Sequence, residues 1–172
     1  MKLLDRCRAR WLLRGFASLG RRGRVRGTPV VLSYGRIEAG DDLVVLAEPR
    51  KVMLIAHGAA SILRIGHGVR IDPGAAIQCT TRIEIGDRCH IGDGALLFDS
   101  DFHRRQGFGS VDGTPIRLGA DCDVGARSVL LRGTTLAARV RVLPDSVVQS
   151  SFPADVVIGG NPARVIRGSE NR

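Results

Sequence analysis

Ile85-Gly86-Asp87-Arg88-Cys89-His90-Ile91-Gly92-Asp93-Gly94-Ala95-Leu96-Leu97 is the stretch that decides the fold. An aliphatic side chain stands at 85, 91 and 97, and a small residue follows four places later at Cys89 and Ala95. A period of six fits neither an amphipathic helix nor an alternating hairpin strand. It fits a short strand and a tight turn, repeated.

Working outward, the period extends back through Ile65, Ile71 and Ile77, with a two-residue slip before Ile85. Beyond a long interruption it returns at Leu118, Val124, Leu130, Leu136, Val142 and Val148. Every one of these positions is Ile, Leu or Val, although those types make up only about a quarter of the chain. The fourth residue after each aliphatic is usually small or β-branched: Val69, Ala75, Thr81, Cys122, Ser128, Thr134, Val140 and Ser146 continue the rule. Gly, Asp or Ala often follows the aliphatic directly, as at Gly66, Asp72, Gly119, Gly125 and Ala137. The pattern predicts inward aliphatics, small residues in the corners, and glycine where the turn needs unusual backbone angles. Three hexads close one triangular coil, and stacked coils bury a column of aliphatics. The fold class is therefore all-β, a parallel β-helix with a short N-terminal basic helix.

Residues 25–64 read as degenerate first coils, through Gly35-Arg36-Ile37-Glu38-Ala39-Gly40-Asp41-Asp42-Leu43 and Ile55-Ala56-His57-Gly58-Ala59. Residues 2–19 fit an amphipathic helix, with Leu4, Cys7, Trp11, Leu12, Phe16 and Leu19 on one face and arginines on the other. The expected division is a basic segment at 1–24, the β-helix at 25–163 with an active-site loop at 99–117, and a tail at 164–172.

The net charge is +9, and residues 1–27 carry nine basic residues against Asp5 alone. The charge thus belongs to the N-terminus, which suits a cap, an arm onto a neighbouring subunit, or a peripheral membrane contact through residues 2–19. No nucleic-acid motif or interleaved aromatic set accompanies it, so nucleic acid is not an expected partner. Cys7, Cys79, Cys89 and Cys122 form no Cys-x-x-Cys pair, and no secretory signal precedes them. They read as reduced thiols of a cytoplasmic protein, placed at the inner membrane face if the basic segment binds lipid. No run of 18 apolar residues is present to span a bilayer.

The interruption between Leu97 and Leu118 is where the repeat gives way to chemistry. It holds His103, flanked by Asp99, Asp101, Arg104 and Arg105. A base with a near-neutral pKa suits proton removal from an attacking hydroxyl, and Asp99 or Asp101 could fix its tautomer. His57, His67 and His90 fall in turn or outward slots and read as exposed turn residues. Their spacing suggests no zinc set, and no metal is expected.

Three stretches resemble the hexapeptide-repeat acyltransferases, closest to those that O-acetylate sugars and polysaccharides. They are Ile85-Gly86-Asp87-Arg88-Cys89-His90-Ile91-Gly92, the loop Asp99-Ser100-Asp101-Phe102-His103, and Ile158-Gly159-Gly160-Asn161-Pro162-Ala163-Arg164-Val165-Ile166. The resemblance implies a left-handed β-helix, whereas ordinary parallel crossovers are right-handed. It also implies a homotrimer with sites between subunits, acetyl-CoA as co-substrate, a small-molecule or glycan acceptor, and His103 as catalytic base. For coenzyme A it points to Gly125, Ala126, Leu143, Pro144, Ser146, Arg164 and Arg167. The chain departs from the family at Asp123, where Trp is common, at Leu143-Pro144-Asp145, where Gly-Ala-Gly is common, and at Gln149-Ser150, where Thr-Lys is common. An amino acceptor would be served by the same base, and a silent scaffold would have no need of the His103 loop.

Overall fold

The fold is taken from a computed structural model that describes residues 9–101 and 113–168. Three sheets of seven, eight and six strands run along the molecule. Sheet A contains Ser18–Leu19, Arg36–Ala39, Ile62–Ile65, Arg82–Ile85, Ile116–Leu118, Thr135–Leu136 and Ser151–Phe152. Sheet B runs from Arg24–Gly27 to Val157–Gly160 and ends on Ala163–Arg167. Sheet C runs from Val30–Ser33 to Val147–Val148. The chain visits A, B and C in turn, so up to Val157–Gly160 each strand after the first three pairs in parallel with the one three before it. This is the solenoid that the hexads predict.

The register shows why the period is six. Ile65, Ile85, Leu118 and Leu136 stack in sheet A. Ile71, Ile91, Val124, Val142 and Ile158 stack in sheet B. Ile77, Leu97, Leu130 and Val148 stack in sheet C. All are buried. The small residues between columns are buried too, and their hydroxyls bond across coils. Ser128 Oγ donates to Leu143 O at 2.9 Å and Thr134 Oγ1 to Val148 O at 2.9 Å. A short polar side chain thus fits the corner and spends its own hydroxyl on a backbone carbonyl of the next coil.

Glycine after the aliphatic has a different cause from the one the turn suggests. A Cβ on Gly86 would lie 2.6 Å from Gly119 C, and one on Gly125 would lie 2.5 Å from Pro144 N. The constraint is close stacking of corner backbones. The left-handed positions come two residues later, and Arg and Asp occupy many of them: Arg88, Asp121, Arg139 and Asp155 all have φ near +60°, between 56 and 63°. Aligned in successive coils, they form bidentate pairs, Arg88–Asp121 at 2.7 Å and Arg139–Asp155 at 2.6 Å. Arg22–Asp42 and Arg127–Asp145 repeat the device. The hydrogen bonds from arginine hold the Asp42, Asp121 and Asp145 carboxyls below the usual range.

Two boundaries differ from the sequence expectation. Residues 9–12 are helical, but Ser18–Leu19 is already a strand, paired with Glu38 and Ala39. The chain must descend to strand distance here. Gly15 packs against Val31, and a Cβ on Gly20 would lie 2.3 Å from Gly40 C. The β-helix therefore begins at Ser18, before residue 25, and a helix through residue 19 is excluded. At the other end Ala163–Arg167 turns back antiparallel onto Val157–Gly160 instead of trailing as a tail. Backbone bonding to the last parallel strand covers that sheet edge. Residues 1–8, with the first turns of the expected helix and Cys7, lie outside the described residues.

The three outer faces differ. On sheet A, Glu38, Arg64, Glu84 and Arg117 alternate in register and pair at 3.2 to 3.6 Å. On sheet B, Arg70, His90, Asp123 and Arg141 form a charged column. On sheet C the outward column is Val30, Met53, Ala76, Leu96, Val129 and Val147, apolar throughout.

Candidate active site

The corner between sheets C and A changes form from one coil to the next. In the coil of Ala76–Cys79 and Arg82–Ile85 it is closed by Thr80 and Thr81, the two residues of the sequence slip. In the following coil the chain leaves after Leu96–Phe98 and returns at Ile116–Leu118. Asp99 fastens the two together. It is fully buried, and its Oδ1 accepts the Thr80 N–H at 2.7 Å. Its Oδ2 accepts the N–H groups of Thr81 and Arg82 at 2.7 and 2.8 Å and the Thr81 hydroxyl at 3.0 Å. A buried carboxylate is tolerable here because three backbone donors converge on it. Burial of the Cys79 thiol, and after it the neighbouring Asp99 charge, push that thiol up to about 12.

The neck of the excursion is equally fixed. Thr114 N–H donates to Asp99 O at 2.8 Å, and Ser100 bridges Gly113 in antiparallel fashion. Ser100 Oγ lies 3.0 Å from Thr80 Oγ1. Asp101 is exposed at the mouth and pairs with Arg132 at 2.8 Å. His103, Phe102, Arg104 and Arg105 lie outside the described residues. Both Asp99 oxygens are engaged by the coil, so Asp99 works as an anchor, whereas the Asp101 carboxylate is exposed and paired with Arg132.

Of the positions matched to coenzyme A, Gly125, Ala126, Leu143 and Pro144 gather at the corner between sheets B and C. Asp145 N–H donates to Ala126 O at 2.9 Å there. Arg164, exposed, registers with Gly159, whose backbone abuts Leu143. Ser146 is fully buried, donating to Leu143 O at 2.6 Å and accepting the Gly160 N–H at 3.3 Å. It shapes this corner from inside. Arg167 lies at the other side of sheet B, on a groove of about 750 Å³ that Arg139, Arg141, Asp121, Asp123 and Asp155 also line.

One cluster escapes the motif reading. His90 is half-buried on sheet B, with Nε2 at 2.8 Å from Asp72 Oδ2 and Nδ1 at 2.9 Å from Asp123 Oδ1. Arg70 braces Asp72 at 2.7 Å, and Arg141 approaches Asp123 at 3.5 Å. His90 thus sits between two carboxylates on a strand face, in contrast to the exposed turn residue expected. The signal was available, because Arg70, His90, Asp123 and Arg141 each directly precede an inward aliphatic. Burial disfavours charge on Asp72, but hydrogen bonds from His90 and Arg70 outweigh it and hold its pKa below the usual carboxylate value. Both contacts are hydrogen bonds at once only when the ring carries two protons. His67 Nδ1 accepts the Asp41 N–H at 3.0 Å, and His57 Nε2 lies 3.0 Å from Gln78 Oε1. Among the described residues no three His, Cys, Asp or Glu side chains converge as a metal site, and no helix is long and apolar enough to cross a membrane.

No protein-family model matches the chain. WcaF of Escherichia coli, named for acetyl transfer in colanic acid biosynthesis, is 30% identical over 125 residues, covering 60% of this chain and 68% of that protein. A Mycobacterium tuberculosis protein named as an acetyltransferase is 27% identical over 168 residues. That match takes in 92% of this chain, which spans only 52% of the mycobacterial protein's length. Among solved structures, AntD, an N-acyltransferase from Bacillus cereus in complex with dTDP and 3-hydroxybutyryl-CoA, superposes with a TM-score of 0.78 at 19% identity, over 94% of this chain and 87% of AntD. A hexapeptide-repeat acetyltransferase of Vibrio cholerae complexed with acetyl-CoA gives 0.56 at 22% identity, over 93% and 75%. With its repeat, its interrupted corner and its relatives, the chain belongs to the hexapeptide-repeat acetyltransferases.

Proposed function

We propose that this protein transfers an acetyl group from acetyl-CoA to a hydroxyl of a sugar or polysaccharide precursor. The observation that carries the reading is the rigid neck at Asp99, Ser100 and Gly113, which holds the ends of the His103 loop at one corner of an otherwise regular solenoid. Catalysis favours reacting groups on a fixed scaffold. Neutral His103 takes the acceptor proton as the oxygen bonds to the thioester carbonyl carbon. The tetrahedral intermediate collapses, the carbon–sulfur bond breaks, and the imidazolium returns the proton to the leaving thiolate. Asp101 supports the imidazolium, and turn N–H groups hold the oxyanion. The corner of Gly125, Ala126, Leu143 and Pro144 admits the pantetheine arm, with Arg164 as a phosphate partner beside it and Arg167, across sheet B, as a more distant one. The apolar column on sheet C seats further copies of the chain in a homotrimer.

Transfer to an amine is the second reading, favoured by the likeness to AntD over nearly the whole chain. Thiol release from acetyl-CoA over a panel of sugars, amino sugars and amino acids separates the two. Release that depends on a neutral sugar supports O-transfer, and release confined to amino compounds supports N-transfer. No acetyl-CoA binding at all would leave the scaffold reading.

A further inference from the structure

The N-terminal end of the solenoid carries a surface that acetyl transfer does not use. The first coil, Ser18 to Ser33, contributes the terminal strand of each sheet and is capped by the helical turn 9–12. The cap is anchored by Ala9 and Leu13, which are 2% and 1% exposed. From this fixed base Trp11 projects outward, 63% exposed, with the Arg14 guanidinium 5.2 Å from its ring. Tyr34, where the coil ends, is 70% exposed. Residues 9–36 contain seven arginines and no acidic residue. Arg22, Arg26 and Arg36 pair with Asp42, Glu48 and Glu38 of the next coil. Arg10, Arg14 and Arg21 are exposed and make no side-chain ion pair among the described residues, while Arg24 lies close enough to Asp42 to help lower its pKa. Arg10 and Arg21 flank a groove of about 430 Å³ between cap and coil.

We propose that this end docks on an anionic phospholipid bilayer, with Trp11 at the headgroup level and the unpaired arginines against lipid phosphates. An exposed indole beside unneutralised guanidinium groups matches the interface, where aromatic rings meet headgroups and cations meet anionic lipid. Nucleic acid is the weaker match, because a single cap indole offers no run of stacking platforms for successive bases. Unlike a helix through 2–19, this surface is a folded end, so it is already shaped before it meets a membrane.

Trp11 is the only tryptophan, so its emission reports the site directly. The test adds full-length protein to vesicles of phosphatidylglycerol mixed with an equal amount of phosphatidylcholine, and to phosphatidylcholine alone. The expected result is cosedimentation and a blue-shifted Trp11 emission with the anionic vesicles only, reversed by salt. Each arginine at an anionic surface contributes roughly a factor of five in affinity, so Arg10→Gln with Arg21→Gln lowers binding about 25-fold. Circular dichroism checks that the pair folds, and Trp11→Ser weakens binding independently of charge. Unchanged emission on anionic vesicles, equal binding to phosphatidylcholine, or full binding by the double variant would overturn the proposal. Retention on duplex DNA without vesicle binding would overturn it too, assigning the charge to nucleic acid.

Discussion

Two polar clusters in this molecule use the same ingredients to opposite ends. At the corner between sheets C and A, Asp99 is buried and takes its hydrogen bonds mainly from backbone N–H groups. On the outer face of sheet B, Asp72 and Asp123 take theirs from His90 and arginine side chains, in contact with water. Backbone donors do not titrate or swing away, so the first cluster is a permanent fastening. The second is held by side chains at a wet surface, which can rotate away from one another. The fastening sits at the neck of the His103 loop, and the adjustable cluster sits on sheet B.

The largest effect that could break this contrast is on Asp99. Asp99→Ala removes the acceptor of three half-buried N–H groups and empties a buried site, and the expected loss of stability is about 3–5 kcal/mol by chemical denaturation. A loss below about 0.5 kcal/mol, the size of an ordinary surface change, would mean that the neck is held by other contacts. Thr81→Val keeps the side-chain shape and removes one hydroxyl bond to the carboxylate, for an expected loss of about 1.5–3 kcal/mol in the same measurement. The smallest effect is on the open face. Asp72 has a depressed folded-state pKa, so its contribution is present above the ordinary carboxylate value and is lost as pH falls through the folded one. The stability gap between wild type and Asp72→Asn is therefore constant near neutral pH and closes below about pH 4. A gap that persisted at lower pH would show that Asp72 acts by packing rather than charge.

Much of the fold was legible because the hexad period repeats along the chain. Ile85, Ile91 and Leu97 announce three inward columns, and the register adds only their partners. What escaped depends on which residues become neighbours through stacking. Arg88 and Asp121 are 33 residues apart, because the loop intervenes between their coils. The glycines after the aliphatics looked like turn residues, yet Gly86 and Gly125 are confined by the coil above them. Leu19 fitted the apolar face of a helix, yet it pairs as a strand with Ala39, because contact with the second coil overrides the local pattern. The loop was legible as a break in the period, and Asp99 as an acid within it. Its turning inward to cap Thr80, Thr81 and Arg82 was not, since that requires knowing that the slip residues lie beneath it.

The proposed role of His103 as base is tested most directly by comparing His103→Ala with wild type in acceptor-dependent thiol release from acetyl-CoA, alongside thermal unfolding. A general base in a loop outside the aliphatic columns predicts a fall of about 10²–10⁴-fold in rate with the unfolding temperature unchanged. An undiminished rate in a normally folded variant would contradict the account and move the chemistry away from this corner.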